Sequence, residues 1–175
     1  MEEIKFLKEE VQITGKITND EILLAQFFAE ITGVFPFYVV IYEAYLFFFV
    51  EKQKYLNCKQ YLKFLRKKLK KKIMIIRFDE SLLRLVFGFF PDVYIHDLSL
   101  VYDYQENSTM IFIYFLTFQD RGVAIGRLGK YIKIVNAIFR KHIRFKEYKT
   151  QISMQCEVYD SALLPHYFEC PVIEA

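Results

Sequence analysis

The apolar positions of this chain change from helical to strand-like spacing within the first fifty residues. Residues 18–32 begin with a capping residue and early acidic side chains and continue with apolar residues three and four apart, which predicts a helix. Gly33 and Pro36 end that helix. Residues 37–42 and 45–50 are runs of aromatic and β-branched residues, and they predict two buried strands.

The same mixed pattern continues to the end of the chain. Leucines set among lysines over residues 54–72 predict a helix, and residues 73–78 predict a strand. Asp79 is a candidate cap for a helix that runs to about Phe90 and is closed by Pro91. The remaining predicted elements are strands over 94–104 and 110–118, a loop over 119–122, a helix after 129, strands over 143–149 and 152–158, and a short helix over 161–168. The pattern predicts an α+β fold, without a repeat, a low-complexity linker or a clear domain boundary.

One motif carries most of the functional prediction. An apolar run at residues 123–125 leads into Gly-Arg-Leu-Gly at residues 126–129, and an amphipathic helical pattern follows at once. Glycine at both ends lets the turn bend sharply and lets a phosphate approach the main chain. The start of the next helix would face that phosphate with its amides and its dipole, and Arg127 and Lys130 add positive charge.

This motif, between an apolar run and an amphipathic helix, resembles the GXXG loop of KH domains, which clamps about four nucleotides of backbone. The predicted order from residue 79 onward (helix, strand, strand, GXXG, helix, strand) is similar to the type II KH arrangement. That arrangement is found in the transcription factor NusA and in the KH-bearing protein of the small ribosomal subunit. The resemblance implies a sheet and a long helix around one core, with unpaired bases in an aliphatic groove beside the loop. Leu128 departs from the family, in which a basic or small residue is usual at this place.

These observations predict an α+β chain in three parts. A type II KH-like unit, with a mixed sheet packed on helices, is expected over residues 73–150. An N-terminal helix-and-strand extension with a basic helix would occupy residues 1–72, and a C-terminal strand and short helix would occupy residues 151–175.

A second, shorter resemblance leads to another ribosomal family. Residues 28–36 are similar to the Ile-Thr-Gly-x-x-Pro helix end of universal large-subunit ribosomal protein five, which binds the small ribosomal RNA of the central protuberance. That alternative would leave the GXXG region as an insertion.

The charge is strongly segregated, although the net charge is only +3. Residues 52–77 contain 11 basic and no acidic side chains, and residues 121–149 contain 9 basic and 1 acidic, while the rest of the chain is acidic. Two basic blocks predict local contact with a polyanion. The predicted RNA-binding residues are Gly126, Arg127, Leu128, Gly129, Lys130, Lys133, Arg140, Lys141 and Arg144 in the second block, and Lys63, Arg66, Lys67, Lys70, Lys71 and Lys72 in the first. Two alternatives stay open: solvated faces of two helices, or contact with an anionic membrane.

The residue types that usually carry catalysis or metal binding are sparse. Cys58, Cys156 and Cys170 are widely spaced, without a C-x-x-C pair, so we expect reduced thiols and no zinc site. His96 and Asp97 are neighbours and would face opposite sides of a strand. Without a nucleophile elbow, Walker loop or dinucleotide motif, we expect no enzyme, no cofactor and no small-molecule substrate.

Residues 31–50 have one charge in twenty positions and are long enough to cross a bilayer. Gly33, Pro36 and the β-branched and aromatic content favour buried strands instead, so a membrane partner is not expected. The 19 Phe and 13 Tyr have AT-rich codons, which indicates an AT-rich genome such as that of an organelle.

The predicted function is that of an RNA-binding structural component of an organellar (mitochondrial) ribosome. Its partners would be ribosomal RNA and neighbouring ribosomal proteins, packed on the aromatic N-terminal third. The alternatives are a NusA-like transcription factor and a subunit of an organellar membrane complex.

Overall fold

The computed structural model describes residues 10–103, 105–146 and 150–159. Within them the chain is α+β, with mixed sheets packed against helices, so the predicted fold class is confirmed. The helices are Asn19–Thr32 (α1), Tyr55–Lys59 (α2), Leu62–Leu69 (α3), Leu82–Phe89 (α4), Phe118–Ile125 (α5) and Lys130–His142 (α6). The strands are Val11–Ile13 (β1), Tyr38–Tyr42 (β2), Tyr45–Glu51 (β3), Lys72–Phe78 (β4), Asp97–Asp103 (β5), Ser108–Phe115 (β6), Ile143–Phe145 (β7) and Gln151–Val158 (β8).

One element order occurs twice along the chain: helix, strand, strand, helix, helix, strand. The first unit, residues 19–78, consists of α1, β2, β3, α2, α3 and β4, and the second unit, residues 82–158, consists of α4, β5, β6, α5, α6 and β8. The short strand β7 also lies within the second unit, between α6 and β8, but pairs with β1 outside its sheet. Both sheets have the same pairing. The first two strands are antiparallel, and the last strand lies parallel to the second, in the orders β2-β3-β4 and β5-β6-β8. The prediction of a chain without a repeat is therefore wrong.

Helix caps explain where the predicted helices begin and end. Thr18 and Glu21 form a reciprocal capping box, with Thr18 Oγ1 accepting from the Glu21 amide at 3.3 Å and Glu21 Oε2 accepting from the Thr18 amide at 2.8 Å. Gly33 ends α1 in the left-handed conformation. The cap of α4 is Ser81, while Asp79 accepts a hydrogen bond from the Ser81 amide.

The first sheet is covered on both faces, which explains the continuous apolar run of β3. Leu46 and Phe48 pack beneath the helices of their own unit, where the Phe48 ring stacks on Phe28 with centroids 4.2 Å apart. Phe47 and Phe49 point the other way, toward Phe89 of α4, with ring centroids 6.1 and 5.8 Å from it. A strand buried on both faces is apolar throughout rather than alternating.

The buried strands predicted within residues 31–50 are therefore present. The phenylalanines of β3 are covered by the chain itself, whereas Phe35 and Phe37, just before β2, are 66% and 58% exposed. The packing of the aromatic N-terminal third on neighbouring proteins stays a prediction. No helix in the described part of the chain has the length and apolar character needed to cross a membrane.

Two predicted local structures are wrong. Residues 119–122 were expected to form a loop but belong to α5, because Thr117 caps the helix by accepting a hydrogen bond from the Asp120 amide at 3.0 Å. The helix predicted over 54–72 is broken at Gln60 and Tyr61 into α2 and α3.

The strands also pair differently from the predicted division of the chain. β4, expected to open the KH-like unit, pairs with β3 in the first sheet. β8, expected in the C-terminal part, completes the second sheet beside β6. β7, expected within the KH-like unit, pairs with β1 because residues 11–13 offer it a separate antiparallel partner. The short helix predicted over 161–168 lies outside the described residues.

Candidate nucleic-acid interface

The Gly-Arg-Leu-Gly motif forms a tight turn between α5 and α6, which we call the GRLG turn. Gly126, Leu128 and Gly129 all have positive φ, at 71°, 54° and 69°. The side chain of Leu128 is 91% exposed and that of Arg127 is also exposed. A leucine rarely adopts the left-handed region, so the turn holds an apolar side chain in solvent at a conformational cost.

Position 126 requires glycine for two reasons, a steric contact and the backbone conformation. A Cβ atom added there would lie 2.7 Å from Cβ of Tyr131, and its φ of 71° with ψ of 175° suits glycine alone. Gly129 differs, because an added Cβ would meet nothing within 4 Å. The turn therefore has room for a side chain at Gly129 but not at Gly126, although the φ of 69° at Gly129 still strains any residue other than glycine.

Tyr131, in the first turn of α6, fixes the GRLG turn to the rest of the molecule. Its hydroxyl donates a 2.6 Å hydrogen bond to the Phe89 carbonyl oxygen, and its ring packs against Tyr45 and Phe90 with centroids 6.0 Å away. Burial raises the pKa of the Tyr131 hydroxyl, which stays a neutral donor. Sequence reasoning missed this residue, because its role depends on contacts with the first unit.

Lys130, beside the turn, already has an anionic partner. Its Nζ lies 2.8 Å from Oε2 of Glu43, at the tip of the β2–β3 hairpin, and both side chains are about half exposed. The hydrogen bond to Glu43 raises the pKa of Lys130. Lys71 reaches the same tip, since its Nζ lies 3.5 Å from the Glu43 carbonyl oxygen. One residue from each basic block therefore contacts Glu43, Lys130 through its carboxylate and Lys71 through its backbone oxygen.

The other basic residues of the second block extend away from the turn. Lys133, Arg140 and Lys141 are exposed along α6. Ten residues of helix place Arg140 about 15 Å from Lys130. Arg144 is exposed at the far end, where its Nη1 donates to the Arg140 carbonyl oxygen at 2.6 Å. These side chains form a basic stripe that begins at the GRLG turn.

The basic side chains of the first block differ in their exposure and in their contacts. Lys63 and Lys67 are exposed on α3. Arg66 is engaged, because its Nη2 and Nε donate to the Ile73 carbonyl oxygen at 3.0 and 3.3 Å. Lys70 ends α3 in the left-handed conformation.

Lys72 is set apart from α3 by its place at the start of β4. Its Nζ lies 5.1 Å from the centre of the Tyr45 ring and 3.4 Å from the Tyr45 hydroxyl. Lys72 lines a cleft together with residues of the second unit, away from the surface that carries Lys63 and Lys67.

Polar side chains line the outer edge of β8, beside α5 and α6. The Asn136 side chain bonds both backbone groups of Met154, donating to its oxygen at 2.9 Å and accepting from its nitrogen at 2.7 Å. Arg121 Nε donates to the Cys156 oxygen at 2.8 Å. Asn136 of α6 and Arg121 of α5 thereby cover backbone groups of the edge strand of the second sheet. Neither residue was predicted, because their roles depend on contacts between distant parts of the chain.

The described thiols and acidic groups do not form a chemical centre. Cys58 and Cys156 are buried and unpaired, and burial raises the pKa of Cys156 to about 12. Among the residues that the structure describes, no cluster of His, Cys, Asp and Glu could hold a metal ion. Cys170 lies outside the described residues.

No family model and no curated protein matches this chain. Among solved structures, it is similar to one described as the crystal structure of APE1850, with a TM-score of 0.59 and 24% sequence identity. The likeness covers 79% of this chain and 100% of that chain. At this identity the comparison shows a shared fold and nothing further.

Proposed function

We propose that this protein binds single-stranded RNA, with the second unit acting as a type II KH-like unit. The observation that carries the proposal is the GRLG turn. It lies between two helices, and three left-handed residues hold Arg127 and Leu128 out in solvent.

The chemistry at the turn suits a nucleic-acid backbone. Gly129, at the start of α6, supplies no side-chain cap. The Lys130 amide donates to the Arg127 carbonyl oxygen, so an anion would meet the amides that follow in the first turn. Arg127 provides a mobile guanidinium, and the basic stripe continues along α6 through Lys133. Leu128 offers an apolar contact to a base face. Together these groups favour a strand whose phosphates lie at the turn and whose bases are unpaired.

The topology supports the same proposal. The second unit has a helix, two strands, the GRLG turn, a helix and a strand, with α5 as an additional helix just before the turn, but its last strand is β8 and not the strand predicted over residues 143–149. Its parallel strand β8 presents an edge beside α5 and α6, where Asn136 and Arg121 already bond the backbone. Such polar groups can exchange their backbone partners for the edge of an unpaired base.

The test is a matched pair of substitutions at Gly129. Gly129→Asp places a carboxylate at the phosphate position, whereas Gly129→Asn has nearly the same shape, is neutral and tolerates the left-handed conformation. Binding of an unstructured RNA of about eight nucleotides, twice what one GXXG loop holds, would be measured by fluorescence anisotropy. We expect Gly129→Asp to weaken binding by about tenfold or more and Gly129→Asn by less than about threefold.

Circular dichroism would establish that both variants are folded. Equal affinities of the two folded variants would refute the proposed site. Wild-type binding should also weaken as salt rises, since several phosphates are neutralised. A flat salt dependence would refute the electrostatic part of the proposal.

The assembly in which the RNA is bound stays a prediction. For a structural component of an organellar ribosome, the native protein should sediment with a ribosomal subunit, and RNase should release it. Sedimentation with RNA polymerase would instead favour the NusA-like transcription factor. A light fraction unaffected by RNase would oppose both, and recovery only with detergent would favour the membrane complex.

A further inference from the structure

A cleft between the two units opens beside the GRLG turn, and we call it the interunit cleft. It has a volume of about 280 Å³. The first unit contributes Tyr45, Lys72 and Met74, and the second contributes Phe90, Arg127 and Tyr131. The cleft lies against the turn but is distinct from the edge of β8, since none of its lining residues belongs to that strand.

The aromatic wall of the cleft is held in place by its own packing. The Tyr131 ring lies 6.0 Å from both Tyr45 and Phe90, and it is perpendicular to Phe90. All three residues are more than nine-tenths buried within the fold, so only the part of each ring that borders the cleft can meet an occupant. The hydrogen bond from Tyr131 to the Phe89 carbonyl fixes the ring further. A rigid aromatic surface of this kind suits a flat, unsaturated ring system.

The polar groups of the cleft indicate which chemical groups its occupant would carry in addition to a flat ring. Lys72 and Arg127 are exposed cations contributed by different units, and Asp92 adds a carboxylate acceptor. Two cations suit a phosphate, whereas a carboxylate suits the N–H donors of a nucleobase. Lys72 already contacts the Tyr45 hydroxyl at 3.4 Å, and Asp92 lies 3.7 Å from Lys59 Nζ, so a charged ligand would compete with these contacts for both groups.

We infer that the interunit cleft holds one unpaired nucleotide, with its base against the aromatic wall and its phosphate between Lys72 and Arg127. This inference rests on the proposed function. Because Arg127 belongs to both the cleft and the GRLG turn, the nucleotide is the neighbour of those held by the turn. The first unit would then take part in RNA binding through its sheet, without a GXXG loop of its own.

The experiment compares RNA lengths in a cleft-filling variant. Val123 lines the cleft from α5 and is 56% exposed, so Val123→Trp fills the cleft without changing charge. Val101, on β5, is 54% exposed and lies outside the cleft, so Val101→Trp is a matched control. Each protein would be titrated by calorimetry with unstructured RNA of about four and about eight nucleotides.

In the wild type and in Val101→Trp, we expect the longer RNA to bind about tenfold more tightly, the gain that a stacked base gives. Val123→Trp should reduce that gain to about twofold and leave the affinity for the shorter RNA unchanged. Lys72→Gln removes the phosphate contact and leaves the aromatic wall intact. It should lower the gain in affinity with RNA length from about tenfold to about threefold.

An undiminished length gain in both Val123→Trp and Lys72→Gln would overturn the inference, and so would a wild type with no length gain. Failure of the proposed function has a different signature, because the shorter RNA would then bind Gly129→Asp and Gly129→Asn equally well.

Discussion

The two units share an element order and a sheet pairing, but they differ at the turn between their paired helices. In the first unit Gln60 and Tyr61 pass from α2 to α3 with right-handed backbone angles, φ −60° and −86°. In the second unit three residues with positive φ separate α5 from α6. The first turn continues nearly as a helix, whereas the second projects two side chains into solvent.

The comparison shows that scaffold and site have separate physical origins. The scaffold comes from burial, since both sheets pack helices on apolar strands through a core that joins the units. The site comes from a backbone conformation that non-glycine residues adopt only at a cost. We therefore expect changes at the two turns to have unequal effects, although the turns occupy corresponding places.

The largest difference between the turns should appear in stability. Gly126→Ala forces a side chain into a glycine-only conformation and against Tyr131, so we expect a loss of about 2–4 kcal/mol in the free energy of unfolding. Gln60→Ala, at an exposed right-handed position, should change it by about 0.5 kcal/mol or less. Urea unfolding of both variants measures this. Equal losses would contradict the assigned turn geometry.

The next difference should appear in RNA affinity. Arg127→Gln with Lys133→Gln removes two cations at and beside the GRLG turn, and we expect about tenfold weaker binding with a salt slope lowered by about two. Lys63→Gln with Lys67→Gln removes two exposed cations from α3, and we expect a loss of about threefold or less. If the substitutions on α3 weakened RNA binding more than those at the GRLG turn, the first unit and not the second would be the main RNA-binding unit.

A smaller effect, of opposite sign, should come from Glu43. Its carboxylate competes with phosphate for Lys130, so Glu43→Gln should strengthen RNA binding about threefold at low salt. Glu10→Gln is the control, since it also removes an exposed carboxylate paired with a lysine, Lys146, away from the turn. Anisotropy titrations of both variants would show whether the gain depends on position. If both variants gained the same RNA affinity, the gain would come from the change in net charge and not from the contact between Glu43 and Lys130.

The smallest expected effect is on the pH dependence of stability. Burial, followed by the nearby charge of Lys141, lowers the pKa of His142 below its ordinary value of 6.5. Its Nδ1 has no hydrogen-bond partner among the described residues. The folded state then binds fewer protons than the unfolded state. The stabilisation is present above about pH 6.5 and is lost as pH falls through the folded pKa.

Thermal unfolding between about pH 7.5 and pH 5.5 measures the contribution of His142. His142→Gln should reduce the fall in Tm on acidification by about 2 °C or less, whereas His96→Gln, at an exposed position, should leave the fall unchanged. If neither substitution alters the acid dependence, His142 has no part in it.

Local signals in the sequence were enough to predict much of the fold. The Thr18 capping box, the stop at Gly33 and the aromatic runs of β2 and β3 each depend on neighbouring residues, and the structure contains them as predicted. α5 was missed because Gly122 and the β-branched Val123 weaken its helical pattern. The break at Gln60 was missed because neither glycine nor proline marks it.

The site was predictable only where one segment forms it. The GRLG turn lies within four consecutive residues, so its motif could be recognised, and the structure shows the left-handed turn there. The contact of Lys130 with Glu43 and the packing of Tyr131 on Tyr45 join distant parts of the chain. The repetition of the unit was hidden as well, because strand pairing and not residue identity defines it.

The most direct test of the account is to follow backbone amide resonances of the isotopically labelled protein by NMR as unstructured RNA is added. We expect the largest amide shifts at residues 126–133, smaller shifts at Tyr45 and Lys72, and no shifts at Gln60 and Tyr61. Shifts concentrated over residues 55–69, or no shifts at the GRLG turn at saturating RNA, would contradict it.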